Sequence, residues 1–369
     1  MNLCRWEESI VGRDKNDIET PALLLYADPL ERNISKMAAF FSKVDCALRP
    51  HFKTHRLPII AHKQIRAGAC GICCAKTSEA KVLVDSGIRD VLIANEVVGE
   101  RKLERLASLA HNSDIIVAVD DAENVSQMSG VASKRGVTIN VLIEVDVGMR
   151  RCGVGTGKEA LALAKHILKL KAVRLRGLMG YEGHAVLIPD YDQRKKECNK
   201  ANAKLVEMRD LLEGNGISVE IVSAGGTGTY DITGQYPGIT EVQAGSYATM
   251  DLTYRELGID FEIALSLMTT IISRPTKRRF ILDSGSKTLA NDMGMPEIMG
   301  APGAVIEGVH EEHVLVSWKN ATEDLEIGDR LELYPSHGCT TFNLHDLCYV
   351  VRNDLVEAVW QIEGRGASQ

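Results

Sequence analysis

A chain of 369 residues is longer than one ordinary domain, and 45% apolar with 25% charged residues is the composition of a globular protein with a sizeable core. A net charge of −7 with scattered basic residues argues against nucleic acid and against a polybasic membrane contact. No apolar run approaches the ~18 residues of a membrane span and the N-terminus has no signal-peptide core; nine cysteines without framework spacing fit reduced thiols, so a cytoplasmic location is expected.

In chain order, Ala22–Tyr26 reads as a short buried strand, and Asp28 as a helix cap with Pro29 at the first helical position and Glu31 three residues past the cap. A regular alternation follows. Strands are predicted over 46–49, 71–75, 90–94, 115–119, 140–145, 176–180, 220–223 and 241–244. Helices are predicted over 57–67, 78–86, 99–110, 122–135, 158–170, 190–212 and, less sharply, near 230–236. Eight continuous apolar strands alternating with helices argue for a closed (β/α)8 barrel of parallel strands, with an open doubly wound sheet as the alternative. Cys70, Cys73 and Cys74 form a CxxCC run, which reads as a buried strand using cysteine as a small hydrophobe rather than as a metal site.

From about Phe261 the pattern changes to strand-like runs over 263–272, 279–282, 304–306, 313–318 and 330–333, with a hairpin over 349–360 around Asn353-Asp354. The expected division is a barrel over 20–255 and a mainly β domain over 256–369, with residues 1–19 packing on it.

The polar residues are read against the barrel, whose chemistry gathers at the C-terminal ends of its strands. The first barrel strand runs into Leu48-Arg49-Pro50-His51-Phe52-Lys53-Thr54-His55-Arg56. By themselves these nine residues read as a basic surface turn. Like charges around Lys53 would lower its pKa and favour the free amine, which a carbonyl cofactor such as pyridoxal phosphate needs to form an imine. Ala224-Gly225-Gly226-Thr227-Gly228-Thr229 follows the seventh strand and Gly245-Ser246-Tyr247 the eighth, the two slots where such barrels bind phosphate. Glycines let backbone N–H groups converge on an anion, and the hydroxyls add donors.

After the fifth strand, Asp146 and Arg151 offer either a partner for a cofactor ring or an ion pair closing the loop. Tyr181-Glu182-Gly183-His184 after the sixth offers an acid–base pair. In the β domain, His337 and Cys339, two apart, would point to one side of an extended segment, and an imidazole with a thiolate suits zinc better than magnesium. His345-Asp346 would be a second ligand pair or an orienting carboxylate.

With these pieces placed, the chain resembles the D-threonine aldolase and D-serine dehydratase family, fold-type-III pyridoxal-phosphate enzymes with an alanine-racemase-like barrel. The resemblance runs from about Thr20 to Gly366. It rests on Thr20-Pro21-Ala22, Leu48-Arg49-Pro50-His51-Phe52-Lys53, Gly71-Ile72-Cys73-Cys74-Ala75-Lys76, Asn95-Glu96-Val97-Val98-Gly99, Glu144-Val145-Asp146-Val147-Gly148, Arg151-Cys152-Gly153-Val154, Gly225-Gly226-Thr227-Gly228, Gln243-Ala244-Gly245-Ser246-Tyr247 and Pro335-Ser336-His337.

The resemblance implies pyridoxal 5'-phosphate joined to Lys53, with His51, Arg151 and Tyr181 around the cofactor. Gly226, Thr227, Gly228, Gly245, Ser246 and Tyr247 would hold its phosphate end. His337 and Cys339 would hold a divalent metal, zinc by the His-x-Cys pair, with manganese or magnesium as alternatives. The aldolases typically carry aspartate where this chain has Cys339, as the dehydratases do. His184 is then the candidate base for the substrate hydroxyl. The expected activity is cleavage of a β-hydroxy D-amino acid to glycine and an aldehyde by a homodimer with its active site near the interface. The alternative is a D-serine or D-threo-3-hydroxyaspartate dehydratase releasing a 2-oxo acid and ammonia. An amino-acid racemase, or a protein that holds the cofactor without turnover, would leave the His-x-Cys pair unused.

Overall fold

The computed structural model describes residues 9–319 and 324–369. The first eight residues of the predicted N-terminal segment, and 320–323, lie outside the described residues. The chain forms two compact units: one of Lys36–Lys53, Pro58–Gly245 and Ala367–Gln369, the other of Met1–Ser35, Thr54–Leu57 and Ser246–Gly366.

After strand β1 (Ala22–Tyr26), the first of these units carries β2 (Ala47–Leu48), β3 (Ile72–Cys74), β4 (Asp90–Glu96), β5 (Asp114–Val119), β6 (Ile139–Glu144), β7 (Val173–Gly180), β8 (Ile221–Ala224) and β9 (Glu241–Val242). They pair in parallel in the order β2-β9-β8-β7-β6-β5-β4-β3. The ring closes between the two ends of that order: Cys70 N donates to Leu48 O at 2.9 Å, Cys73 N to Pro50 O at 2.8 Å, and His51 bridges Cys73 in parallel. The eight strands and their helices are the predicted (β/α)8 barrel. Cys73, Leu92, Ile116, Ala118, Leu142, Met179 and Ile221 fill it from within. Cys73 and Cys74 are fully buried, and burial pushes both thiols up. That keeps them protonated and in the hydrophobic role read from the sequence.

The helices start and stop where local chemistry says they should. Asp121 accepts from Asn124 N at 2.8 Å, and Gly136 ends that helix in the left-handed region at φ 67°. Thr156 and Glu159 form a capping box. The first helix is an exception, because it begins at Ala27 and takes in Asp28. Asp28 is drawn into an ion pair with Arg352 rather than capping, and Arg352 also reaches Glu31 at 3.1 Å.

The other unit is one nine-stranded sheet with β10 (Leu265–Thr276), β11 (Arg279–Leu282), β12 (Glu297–Met299), β13 (Val305–Val309), β14 (Val314–Ser317), β15 (Arg330–Tyr334), β16 (Leu347–Arg352) and β17 (Leu355–Gln361). Its core gathers Leu267, Ile271, Phe280, Leu282, Val314, Val316 and Trp318. The β16–β17 hairpin turns through Asn353 (φ 51°) and Asp354 (φ 62°), two residue types that tolerate that region. β1 belongs to this sheet, antiparallel to β10 and parallel to β16, although its position in the sequence placed it within the predicted barrel segment. A run buried on both faces carries no mark of which sheet it joins. Residues 9–19 pack in the same unit: Gly12 N donates to Val356 O at 2.8 Å, and Ile18 lies in a cluster with Ala22, Met268 and Val356.

Candidate active site

The barrel rim around Lys53 is built from backbone pairing. Beyond β2, Arg49 N donates to Val242 O and His51 N to Ala244 O, so the chain stays against β9 out to His51. Phe52, fully buried, anchors the single turn Phe52–Thr54 and leaves Lys53 exposed. Lys53 N donates to His51 Nδ1 at 3.3 Å, and His51 is itself buried. The predicted crowding of cations is not what the structure builds. Arg49 is buried and fully committed, its Nε 3.0 Å from Glu241 and its Nη1 2.5 Å from Asp90. Arg56 donates to Gly364 O, and His55 Nδ1 accepts from Leu57 N at 3.1 Å. What singles out Lys53 is exposure on a rigid turn, not like-charge repulsion.

The loop after β8 is a close fit. A Cβ at Gly228 would lie 2.2 Å from Val186 O, a backbone approach that only glycine permits, whereas one at Gly226 would make an ordinary contact with the Tyr181 ring at 3.4 Å. Thr227 and Gly245 are buried. Ser246 and Tyr247 begin the other unit, where both are buried and Tyr247 packs on Phe261 with ring centroids 5.7 Å apart. Glu182 turns inward. It is fully buried and accepts from Gly225 N at 3.0 Å, Thr229 Oγ1 at 2.6 Å and Thr233 Oγ1 at 3.0 Å. It fixes the glycine loop and is not half of a solvent-facing acid–base pair. His184 is exposed on the short helix Gly183–Val186, with its ring close to Gly148.

Arg151 stacks over the Tyr181 ring at 5.6 Å and stands 3.6 Å from Glu144. The loop before it is closed by backbone amides and not by the Asp–Arg ion pair, one of the two sequence readings of Asp146 and Arg151. Asp146 Oδ1 accepts from Gly148 N and Arg150 N, each at 2.9 Å. Those bonds outweigh the opposing effect of burial and hold the carboxyl below its usual range. Sequence reasoning missed the group behind Arg151. Glu96, Glu144 and Cys152 bring ligand-type atoms within 4.8 Å of one another. Burial first, then the hydrogen bond and charge of Glu96, push Glu144 up to about 8, against the pull of Arg151. Glu96 and Glu144 were visible as carboxylates at the ends of β4 and β6, but with β5 between those strands nothing in the sequence set them face to face.

In the β unit, His337 and Cys339 meet at the start of a helix, not along the predicted extended segment. His337 is extended (φ −138°), and Cys339 lies in the first turn of Gly338–Phe342. Buried Asp251 fixes that start by accepting from Gly338 N at 2.9 Å and Tyr254 N at 3.2 Å. Cys339 Sγ lies 3.7 Å from Thr54 Oγ1. Burial disfavours the charged imidazole of His337, but contact with Cys339 and Asp292 outweighs it and raises the group to about 9. An imidazole and a thiol side by side are donors that suit zinc, and a carboxylate at Nδ1 is placed to orient the imidazole. His345 and Asp346 are engaged elsewhere: His345 Nε2 lies 2.7 Å from Thr288 O, and Asp346 pairs with Arg365 at 2.7 Å.

The family model for the alanine racemase N-terminal domain matches residues 26–253, and one for a serine dehydratase domain matches 264–351. The chain belongs to the D-threonine aldolase and D-serine dehydratase family. It is 40% identical to a D-threonine aldolase of Arthrobacter sp over 95% of this chain and 94% of that protein. It is 34% identical to a 3-hydroxy-D-aspartate aldolase of Paracoccus denitrificans over 97% and 95%. The crystal structure of D-threonine aldolase from Filomicrobium marinum superposes with a TM-score of 0.94 at 36% identity, covering 97% of this chain and 99% of that one. Among the described residues, no helix is long and apolar enough to cross a membrane.

Proposed function

We propose that the protein is a pyridoxal-phosphate-dependent, divalent-metal-assisted lyase that cleaves β-hydroxy D-amino acids to glycine and an aldehyde. The observation that carries this reading is Lys53, an exposed amine on a rigid turn at the end of the first barrel strand, in a barrel that also carries the close-fitting glycine loop after β8. The likeness to two aldolases along nearly the whole chain supports it. Lys53 is the residue that would join the cofactor, Gly226, Thr227 and Gly228 would hold its phosphate end, and Arg151, stacked over Tyr181, would serve its ring. When bound, the cofactor supplies an electron sink for the carbanion that carbon–carbon cleavage leaves. His337 and Cys339 would hold the ion, which supplies Lewis acidity toward an alcohol oxygen. His184 takes the hydroxyl proton on a ring nitrogen. The O–H electron pair becomes the carbonyl of the departing aldehyde, and reprotonation of Cα gives glycine.

A dehydratase reading is favoured by one feature, the His-x-Cys pair within the segment that matches the serine dehydratase domain. There Lys53 removes the α-proton, hydroxide leaves Cβ, and hydrolysis gives a 2-oxo acid and ammonia. Incubation with D-threonine, D-serine and D-threo-3-hydroxyaspartate separates the two. Glycine with aldehyde is the expected outcome. Ammonia with keto acid, and no glycine, would replace the aldolase by the dehydratase.

A further inference from the structure

We propose that Asp292 is the positioning residue of the metal-binding histidine: with Thr340 it fixes His337 with its proton on Nδ1 and leaves Nε2 as the coordinating nitrogen. The inference rests on the metal reading above and extends it to a residue that the sequence left without a role.

The geometry is a closed triangle. Asp292 Oδ2 lies 2.8 Å from His337 Nδ1, Thr340 Oγ1 donates to the same oxygen at 3.1 Å, and Thr340 Oγ1 is 3.1 Å from His337 Nδ1. A carboxylate can only accept, so the imidazole must present an N–H at Nδ1. In the neutral imidazole, the form that ligates a metal, the second nitrogen is then the only one with a lone pair to give to an ion. Thr340 sits one turn into the helix that begins after His337, so the clamp is set by the same helix start that carries Cys339. A carboxylate behind a ligating imidazole orients the ring and raises its basicity, and its loss typically weakens metal binding 10–100-fold.

The test measures zinc affinity of the full-length, cofactor-loaded protein by competition with a chromophoric chelator, for wild type, D292A, D292N, T340V and H337A. D292A should bind zinc roughly 10–100-fold more weakly. D292N, whose amide oxygen still accepts from Nδ1–H without a charge, should fall between D292A and wild type. The thiolate-to-metal band of the cobalt(II)-substituted protein should persist in D292A, because Cys339 is untouched. Zinc affinity of D292A within twofold of wild type would overturn the proposal. So would a loss matched by an equal fall in the melting temperature of the zinc-free protein, which marks a structural role. If H337A binds zinc as tightly as wild type, the metal reading itself fails, and Asp292 loses its role with it.

Discussion

Two buried glutamates at the ends of neighbouring barrel strands meet opposite fates. Glu182, just past β7, is surrounded by donors, a backbone amide and two threonine hydroxyls, and is wholly enclosed. Glu144, the last residue of β6, faces another carboxyl and a thiol, with one guanidinium at a long 3.6 Å. One carboxyl is a structural keystone for the glycine loop. The other holds its proton well above the usual carboxylate range and sits against Arg151. Burial alone does not decide what a carboxyl does; the polarity of what it faces does.

The comparison can be broken at Glu182 most forcefully. E182A leaves three buried donors without their acceptor and should cost about 3–5 kcal/mol in urea unfolding. A loss under about 1 kcal/mol would mean that the loop stands without it. A gentler probe is T229V, which removes the hydroxyl that bridges Gly226 N and Glu182. It should cost about 1–3 kcal/mol, with T229S close to wild type. T229V as stable as wild type, with T229S destabilised, would show that the β-branched shape matters and the hydroxyl does not.

At Glu144 the effect is read as a pH dependence. Its folded value of about 8 exceeds the ordinary 4.5, so between those values the folded state binds more protons than the unfolded state. Stability from this group is therefore full below about 4.5 and is lost as the pH rises toward 8. The difference in melting temperature between wild type and E144Q should shift against wild type over that window. A difference that stays constant with pH would show that the proton on Glu144 is not at issue.

Much of the barrel was legible because the strands are short apolar runs and several helices, such as Ala122–Arg135 and Gly157–Ile167, carry local caps. Lys53 and the glycine loop were legible as polar breaks at strand ends. What escaped were pairings across long stretches of chain. Glu182 looked like a solvent-facing acid beside His184, because its donors Gly225, Thr229 and Thr233 lie 43, 47 and 51 residues on. Arg49 looked like one of a crowd of cations until Glu241, 192 residues later, claimed it. Asp292 is 45 residues from His337 and carries no periodicity that would point to it. Local patterns name elements, whereas polar partners are chosen by the folded topology.

The placement of β1 has a consequence for how the chain is made. Ala22–Leu25 are among the first residues described, yet their partners begin at Leu265 and Tyr349. At ordinary elongation rates that is a wait on the order of tens of seconds, during which an apolar strand has neither of its neighbours. On the ribosome the barrel segment can collapse while its N-terminal extension remains an open, sticky edge. The β sheet is thus the last part able to form and the one most in need of protection by chaperones.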